Sequence, residues 1–292
     1  GGSGYFPDKA GKWHWKAGDV GGNTVVDIKG GHILTNVYGA NELTNVTGKS
    51  TVNMSGGTIG VPRTLGQIMA HPVTCYLFGG GKGDPRVLFN KQTNVQDVEV
   101  NITGGWIYGS AFGGGEDGHV MRNVTMNISS SAFDGTPAYA DYYAGRATKI
   151  GTWGTSYVDG NVFGGGRGFA GDAYTAGNVA GAVTLNISGG TMLGSIYGGG
   201  RLGSVGYGLY DAGVAGYGEM RDDDKKDDGT DGTSFFTKGR GHVEITISGG
   251  TIGNDREYIM PTEGFKNWTA EQWTTWQHNN YVFIVYKDFL KS

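Results

Sequence analysis

Leu185–Gly203 reads LNISGGTMLGSIYGGGRLG: apolar and polar residues alternate up to a glycine pair, and a short apolar run ending in an aromatic leads to a glycine triplet. The pattern recurs along the chain. Six segments align on the glycine pair or its equivalent: VVDIKGGHI (25–33), TVNMSGGTI (51–59), EVNITGGWI (99–107), TMNISSSAF (125–133), TLNISGGTM (184–192) and EITISGGTI (244–252). One face carries Val26, Val52, Val100, Met126, Leu185 and Ile245, then Ile28, Met54, Ile102, Ile128, Ile187 and Ile247. The other carries Asp27, Asn53, Asn101, Asn127, Asn186 and Thr246. A period of two with one apolar face predicts a strand buried on one side and wet on the other.

A second signature follows each strand: NVYGA (36–40), YLFGGG (76–81), SAFGGG (110–115), NVFGGG (161–166) and SIYGGG (195–200). It places Tyr38, Phe78, Phe112, Phe163 and Tyr197 at one offset. In the sixth unit NNYVFIVY (279–286) offers Phe283 at that offset. A valine precedes five of the six strands: Val20, Val46, Val95, Val120 and Val179. Units of strand, glycine corner, short strand and second corner cannot bury a face alone and must stack. The period excludes a helical repeat, and a propeller blade needs four strands. The reading is all-β: a parallel β-helix (β-solenoid) of about six coils at ~4.8 Å spacing, right-handed by the crossover rule.

The glycines are then corner residues, supplying positive φ and close stacking. GGGEDG (113–118) and GGGRLG (198–203) match a dinucleotide fingerprint, but neither opens a helix, and a motif present in most units is not one cofactor site. GKS (48–50) lacks the leading P-loop glycine, since that position is Leu43. After each triplet or its equivalent stands a charge: Glu42, Lys82, Glu116, Arg167, Arg201. This predicts a solvated salt-bridge ladder.

Composition bounds the rest. Glycine is 58 of 292 residues with only 6 prolines and no collagen period. A net charge of −4 without a basic run excludes nucleic acid as the expected partner. Cys75 is the one cysteine, so no intrachain disulfide forms. No apolar run approaches the roughly 20 residues of a membrane span. GGSG at the start reads as a linker or processed end, and the chain as a segment of a longer protein.

The organisation expected is an N-terminal cap or linker (1–19), in which Trp13 and Trp15 cover one end, and a solenoid (20–253) with insertions 61–75, 134–160 and 202–242. A C-terminal cap (254–292) carries the last-coil insertion, a short helical segment and the final strand. TAEQWTTWQH (269–278) opens with a capping box, Thr269 with Gln272. The insertions at 61–75, 134–160 and 254–280 fall on alternate coils at one corner. They supply the candidate ligand-binding residues Tyr139, Tyr142, Tyr143, Trp153, Tyr157, Trp268, Trp273 and Trp276, because exposed rings are what sugars and protein partners stack upon. The competing reading is that these rings pack the loops against the rod.

No cofactor is expected. RDDDKKDDGTDG (221–232) makes Asp222, Asp224 and Asp228 weak calcium candidates, yet counting from Asp224 the third position is Lys226 and the twelfth Phe235, so the EF-hand spacing fails. No catalytic residue is named: HExxH and G-x-S-x-G are absent. On the wet face Glu99 and Glu244 fall roughly 14 Å apart, too far for an acid–base pair. The loop carboxylates Asp134, Asp141 and Asp159 could converge. The N-x-S/T triplets on the strands read as a polar ladder, not as glycosylation signals.

The repeat V-x-h-N-I-S-G-G-T-h-x-G-S-h-Y/F-G-G-G resembles the Gly-rich GGT/GGG tandem-repeat parallel β-helix regions of large secreted or surface, adhesin-like proteins of Bacteroidetes-type bacteria, over about 20–287. SSS (129–131) and the missing sixth triplet depart from it. The resemblance implies an extracellular or cell-surface location and non-catalytic adhesion, to a glycan or to a host or bacterial surface protein. A polysaccharide lyase or glycoside hydrolase on a β-helix, and a purely structural spacer, are the alternatives.

Overall fold

A strand with one apolar face must bury that face and pair its backbone groups on both edges. The computed structural model describes residues 1–4, 18–64, 67, 74–84, 93–131, 133–154, 159–168, 176–206, 241–254, 269 and 271–272. In it the partners are the equivalent segments. Strands β1 (Thr24–Ile33), β3 (Val46–Ile59), β5 (Asn94–Ile107), β8 (Val124–Ile128), β11 (Val183–Met192) and β13 (Val243–Ile252) lie side by side in chain order, all parallel. The two-residue strands β2 (Val37–Tyr38), β4 (Leu77–Phe78), β6 (Ala111–Phe112), β10 (Val162–Phe163) and β12 (Ile196–Tyr197) form a second parallel sheet. Along the chain, long and short strands alternate between the two sheets. Two further pieces, β7 (His119–Val120) and β9 (Thr148–Ile150), pair into the first sheet. The fold is all-β, and we call successive long strands levels 1 to 6.

The register is residue on equivalent residue. Ile28, Met54, Ile102, Ile128, Ile187 and Ile247 share one row, and Asp27, Asn53, Asn101, Asn127, Asn186 and Thr246 the next. The apolar row is buried at levels 1 to 5 but not at level 6, where Ile247 is 52% exposed. No described residue stacks beyond β13, so its core-facing side chains have a neighbour on one side alone. In the short sheet the first residue of each pair (Val37, Leu77, Ala111, Val162) joins this core. The second points the other way and builds a separate stack: Tyr38, Phe78, Phe112, Phe163 and Tyr197, with successive ring centroids 5.1, 4.8, 4.8 and 4.7 Å apart. Tyr76 meets this stack edge-on and Trp153 packs against it. Phe283 lies outside the described residues.

Level 4 departs from the reading of the sequence. SSS (129–131) does not fill the glycine corner, and Phe133 does not take the next core position. The chain leaves the sheet after Ile128 and returns as β9, whose Ile150 pairs with Ile107 and with Met192. The 134–160 insertion is therefore two excursions separated by a strand. At level 6, Val205 pairs with Val179 and completes the valine row, so the long excursion begins after Gly206.

The two glycine signatures do different work. The second glycine of each pair has a left-handed backbone, for example Gly105 at φ 106°, a conformation costly for any side chain. The triplets are instead places of close approach: a Cβ on Gly113 would lie 2.2 Å from the Gly164 carbonyl oxygen. The charged row after the triplets is only partly solvated. Lys82 pairs with Glu42 at 2.7 Å with both side chains about half exposed, but Glu116 and Arg167 are 6% and 3% exposed. Glu116 accepts from the Tyr38 hydroxyl at 3.0 Å, and Arg167 lies over the Tyr76 ring at 4.8 Å. Burial pushes the Glu116 carboxyl above its usual range against the pull of Arg167, the Tyr38 hydrogen bond and Lys82. Burial, with Glu116 beside it, holds the Tyr38 phenol protonated. Ser3 pairs with Glu42 and the Glu42 N–H donates to Gly2, so GGSG lies along this same row.

Polar side chains serve the backbone at the bends before Val20, Val46, Val120 and Val179. The carboxylate of Asp19 accepts the Asn45 N–H at 2.8 Å, Asn45 accepts that of Asn94 at 3.1 Å, and Asn178 accepts that of Ser204 at 2.8 Å. His119 occupies the same row, and its Nδ1 accepts from Asn178 N at 3.4 Å. Burial lowers its pKa to about 3, against a hydrogen bond to the Ala176 backbone. The unfolded imidazole takes a proton below about 6.5. This depressed group therefore stabilises the fold above that pH and loses its contribution as pH falls toward 3. His119→Asn supplies the acceptor used elsewhere in the row without titrating. Urea unfolding at pH 7 and pH 4 should show the wild type losing a few kcal/mol on acidification, on the order of 3 kcal/mol from this group, and His119→Asn losing correspondingly less.

Candidate functional site

Near the ends of the long strands, the outward row holds His32, Thr58, Trp106, Lys149, Thr191 and Thr251 in register. Three of the six are threonine, and Trp106 is the bulky exception. Over this row lies helix α1 (Tyr139–Tyr143), inserted between β8 and β9. Its first turn is fixed by Asp141, whose carboxylate accepts the Ala138 N–H at 2.8 Å and the Arg146 guanidinium at 2.6 Å. Arg146, foremost, with the Ala138 N–H, holds the Asp141 carboxyl below the usual carboxylate range. The helix seats against the sheet because the glycine corners beneath it are bare: a Cβ on Gly104 would meet the Gly145 oxygen at 2.5 Å.

The helix and the row together make an aromatic cluster. Trp106 stacks on Tyr108 at 4.6 Å, carries the Lys149 ammonium 4.1 Å from its ring, and donates from Nε1 to the Gly151 carbonyl at 2.8 Å. Tyr142 leans on it at 5.3 Å and Tyr139 at 6.2 Å. Tyr143 stacks on His32 at 4.9 Å, and its hydroxyl accepts the Gly31 N–H at 3.3 Å. His32 Nδ1 lies 3.0 Å from Thr58 Oγ1 and 3.4 Å from the Tyr139 hydroxyl. Burial, then Tyr139, raises the Tyr108 phenol to about 12. Tyr142 is 6% exposed and forms the floor, whereas Tyr139 is 45% exposed and His32 is also open to solvent. Ring faces, an imidazole and hydroxyls beside a lysine can stack and hydrogen-bond a polar ligand. Among the described residues no group of three or more His, Cys, Asp or Glu could hold a metal ion.

Of the eight ring residues expected from the sequence, the structure brings Tyr139, Tyr142 and Tyr143 together. Trp153 goes elsewhere. It packs on the aromatic stack of the second sheet, donates from Nε1 to the Arg63 carbonyl, and accepts from Asn254 Nδ2 at 3.1 Å. Segments of the three alternate-level insertions thus meet at one corner. Asp159 is buried and accepts the N–H groups of Thr152 and Gly154, each at 2.7 Å, and that of Trp153. Tyr157, Trp268, Trp273 and Trp276 lie outside the described residues, as do Asp222, Asp224 and Asp228, and Trp13 and Trp15. Thr269 and Gln272 form the capping box, at 2.7 and 3.2 Å. His32, Trp106, Tyr108 and Lys149 were missed. The available signal was GGH (30–32) and GGW (104–106) standing where three other segments read GGT.

Comparison with protein-family models, curated proteins and solved structures finds no match to this chain. No helix among the described residues is long and apolar enough to cross a membrane.

Burial separates the roles of the three tyrosines. Tyr142→Ala should lose about 3 kcal/mol or more of stability, while Tyr139→Ala stays within about 0.5 kcal/mol, as read by urea denaturation.

Proposed function

We propose that the chain is a parallel β-solenoid in which each level is one coil, and that it acts as a non-catalytic, extracellular binding module holding a glycan on the His32–Tyr139–Tyr143 face. The alternation of long and short strands between two parallel sheets supports the solenoid, and the crossover rule gives it a right hand. The observation that carries the binding reading is the gathering of rings from three separate stretches, 32, 106–108 and 139–143, onto one surface where Tyr139 is 45% exposed. A rod needs no such cluster on its wet face, and an open tyrosine beside an imidazole offers a sugar both stacking and hydrogen bonds. The non-catalytic reading is supported by the loop carboxylates. Asp141 is engaged by Arg146 and the Ala138 N–H, and Asp159 is spent on three backbone amides. The sequence resemblance to adhesin-like repeat regions supports the extracellular location.

A glycan array should identify ligands, followed by calorimetry on wild type, Tyr139→Ala and His32→Ala and by chromatography of the incubated glycan. Each ring contact adds only about 0.5–1.5 kcal/mol. Either substitution should therefore weaken binding several-fold while circular dichroism stays unchanged and the glycan stays intact. Undiminished binding in both variants contradicts the assignment, and released oligosaccharide contradicts the non-catalytic reading.

A further inference from the structure

We propose that the aromatic face takes an extended, neutral, β-1,4-linked glycan chain laid along the stack of levels, with Thr191 and Thr251 reading its length. This rests on the reading of that face as a glycan site and adds the shape of the chain and its direction. The observation that carries it is the course of the outward row. His32, Thr58, Trp106, Lys149, Thr191 and Thr251 stand in register on adjacent strands. The row therefore runs across the strands and covers about 24 Å from His32 to Thr251.

Rings furnish the first half of the row. Tyr139 reaches His32 of level 1, with its hydroxyl 3.4 Å from Nδ1, and Trp106 of level 3, with ring centroids 6.2 Å apart. It thereby spans Thr58 of level 2, which is buried. A sugar stacked on the open Tyr139 ring lies over the row itself. The helix α1 packs on β3 and β5, and the row continues past it. Thr191 is half-buried and Thr251 exposed. Thr58 Oγ1 is engaged by His32 Nδ1 at 3.0 Å, whereas the hydroxyls of Thr191 and Thr251 have no hydrogen-bond partner among the described residues. The residues just before them, Gly189–Gly190 and Gly249–Gly250, carry no side chains.

The chemistry of these groups selects the occupant. A pyranose offers a ring face to a tyrosine and rim hydroxyls to a threonine. Arg146 pairs with Asp141 at 2.6 Å, and the Lys149 ammonium rests on Trp106, 4.1 Å from the ring centroid, so the face requires no charge on its ligand. Evenly spaced groups in a straight row fit a chain whose sugars advance straight and evenly. A β-1,4-linked chain is such a ribbon, each ring advancing by close to one level, whereas an α-1,4-linked chain curls away from the row. Two sugars are held by the rings alone. About five or six are needed to reach Thr191 and Thr251 at ~4.8 Å a level.

The test is calorimetry of the full chain with cello-oligosaccharides and manno-oligosaccharides of two and six sugars, and with maltohexaose as the curled control. Wild type is compared with Tyr139→Ala and with the double variant Thr191→Val/Thr251→Val, which keeps the β-branched shape; circular dichroism checks the fold. At least one β-1,4-linked hexamer should bind about tenfold more tightly than its dimer, and the double variant should remove most of that gain while leaving the dimer unchanged. Tyr139→Ala should weaken dimer and hexamer alike. Equal affinity for dimer and hexamer, a hexamer indifferent to the double variant, maltohexaose bound as tightly, or no binding of either series overturns the inference. The glycan reading itself then stands or falls separately, on whether the array yields any glycan whose binding Tyr139→Ala weakens.

Discussion

Every residue in the inner strands of the two sheets must tolerate its own equivalent ~4.8 Å away on each side. That requirement selects the residue types along each row. Aromatic rings satisfy it by parallel stacking, as from Tyr38 to Tyr197, where neighbouring planes differ by 2°, 16°, 4° and 9°. Asparagine satisfies it because its amide is a donor on one side and an acceptor on the other. Asn186 donates to Asn127, Asn127 to Asn101, Asn101 to Asn53 and Asn53 to Asp27, all between 2.8 and 2.9 Å. Glycine satisfies it where two backbones nearly touch, as at Gly113. Like charges do not satisfy it. Arg167 and Arg201 are neighbours in their row, and the buried Glu116 carboxylate and the Tyr76 ring stand beside Arg167 to offset the repulsion.

The same rule explains what the sequence disclosed. A row whose members are chemically equivalent can be read by aligning a chain on itself. The Ile28 row, the Asn53 row and the Phe78 row were therefore visible, with their registers. What broke the alignment was a segment that left the sheet and came back. Ile150 was hidden because twenty-one residues separate it from Ile128, and the threonine-to-glycine run TKIG carries no glycine pair to announce the return. Val205 was hidden for the related reason that a long excursion stands between it and its strand.

The candidate site was legible only in part, and burial is the reason. Aromatic residues in an insertion suggest a surface whether they face water or the sheet beneath. Tyr139 and Tyr142 differ by three positions and look alike in sequence, yet one is open and the other is a floor. Trp153 looked like a companion of Tyr142, but β9 separates them and sends Trp153 to the other sheet. Conversely, Trp106 reads as one more strand residue until α1 is laid over it.

The central claim is that equivalent residues sit in register on adjacent parallel strands, and cysteine pairing measures it directly. Thr125 and Thr184 are outward-row partners at levels 4 and 5, while Glu99 and Thr184 lie two levels apart in the same row. Parallel neighbours meet the Cα separation of a disulfide, whereas two levels, about 9.6 Å, exceed it. Under mild oxidation, with buried Cys75 left in place, Thr125→Cys/Thr184→Cys should form an intramolecular disulfide and Glu99→Cys/Thr184→Cys should not. Equal crosslinking of both pairs, or crosslinking of the second alone, would contradict the register on which the fold and the candidate site depend.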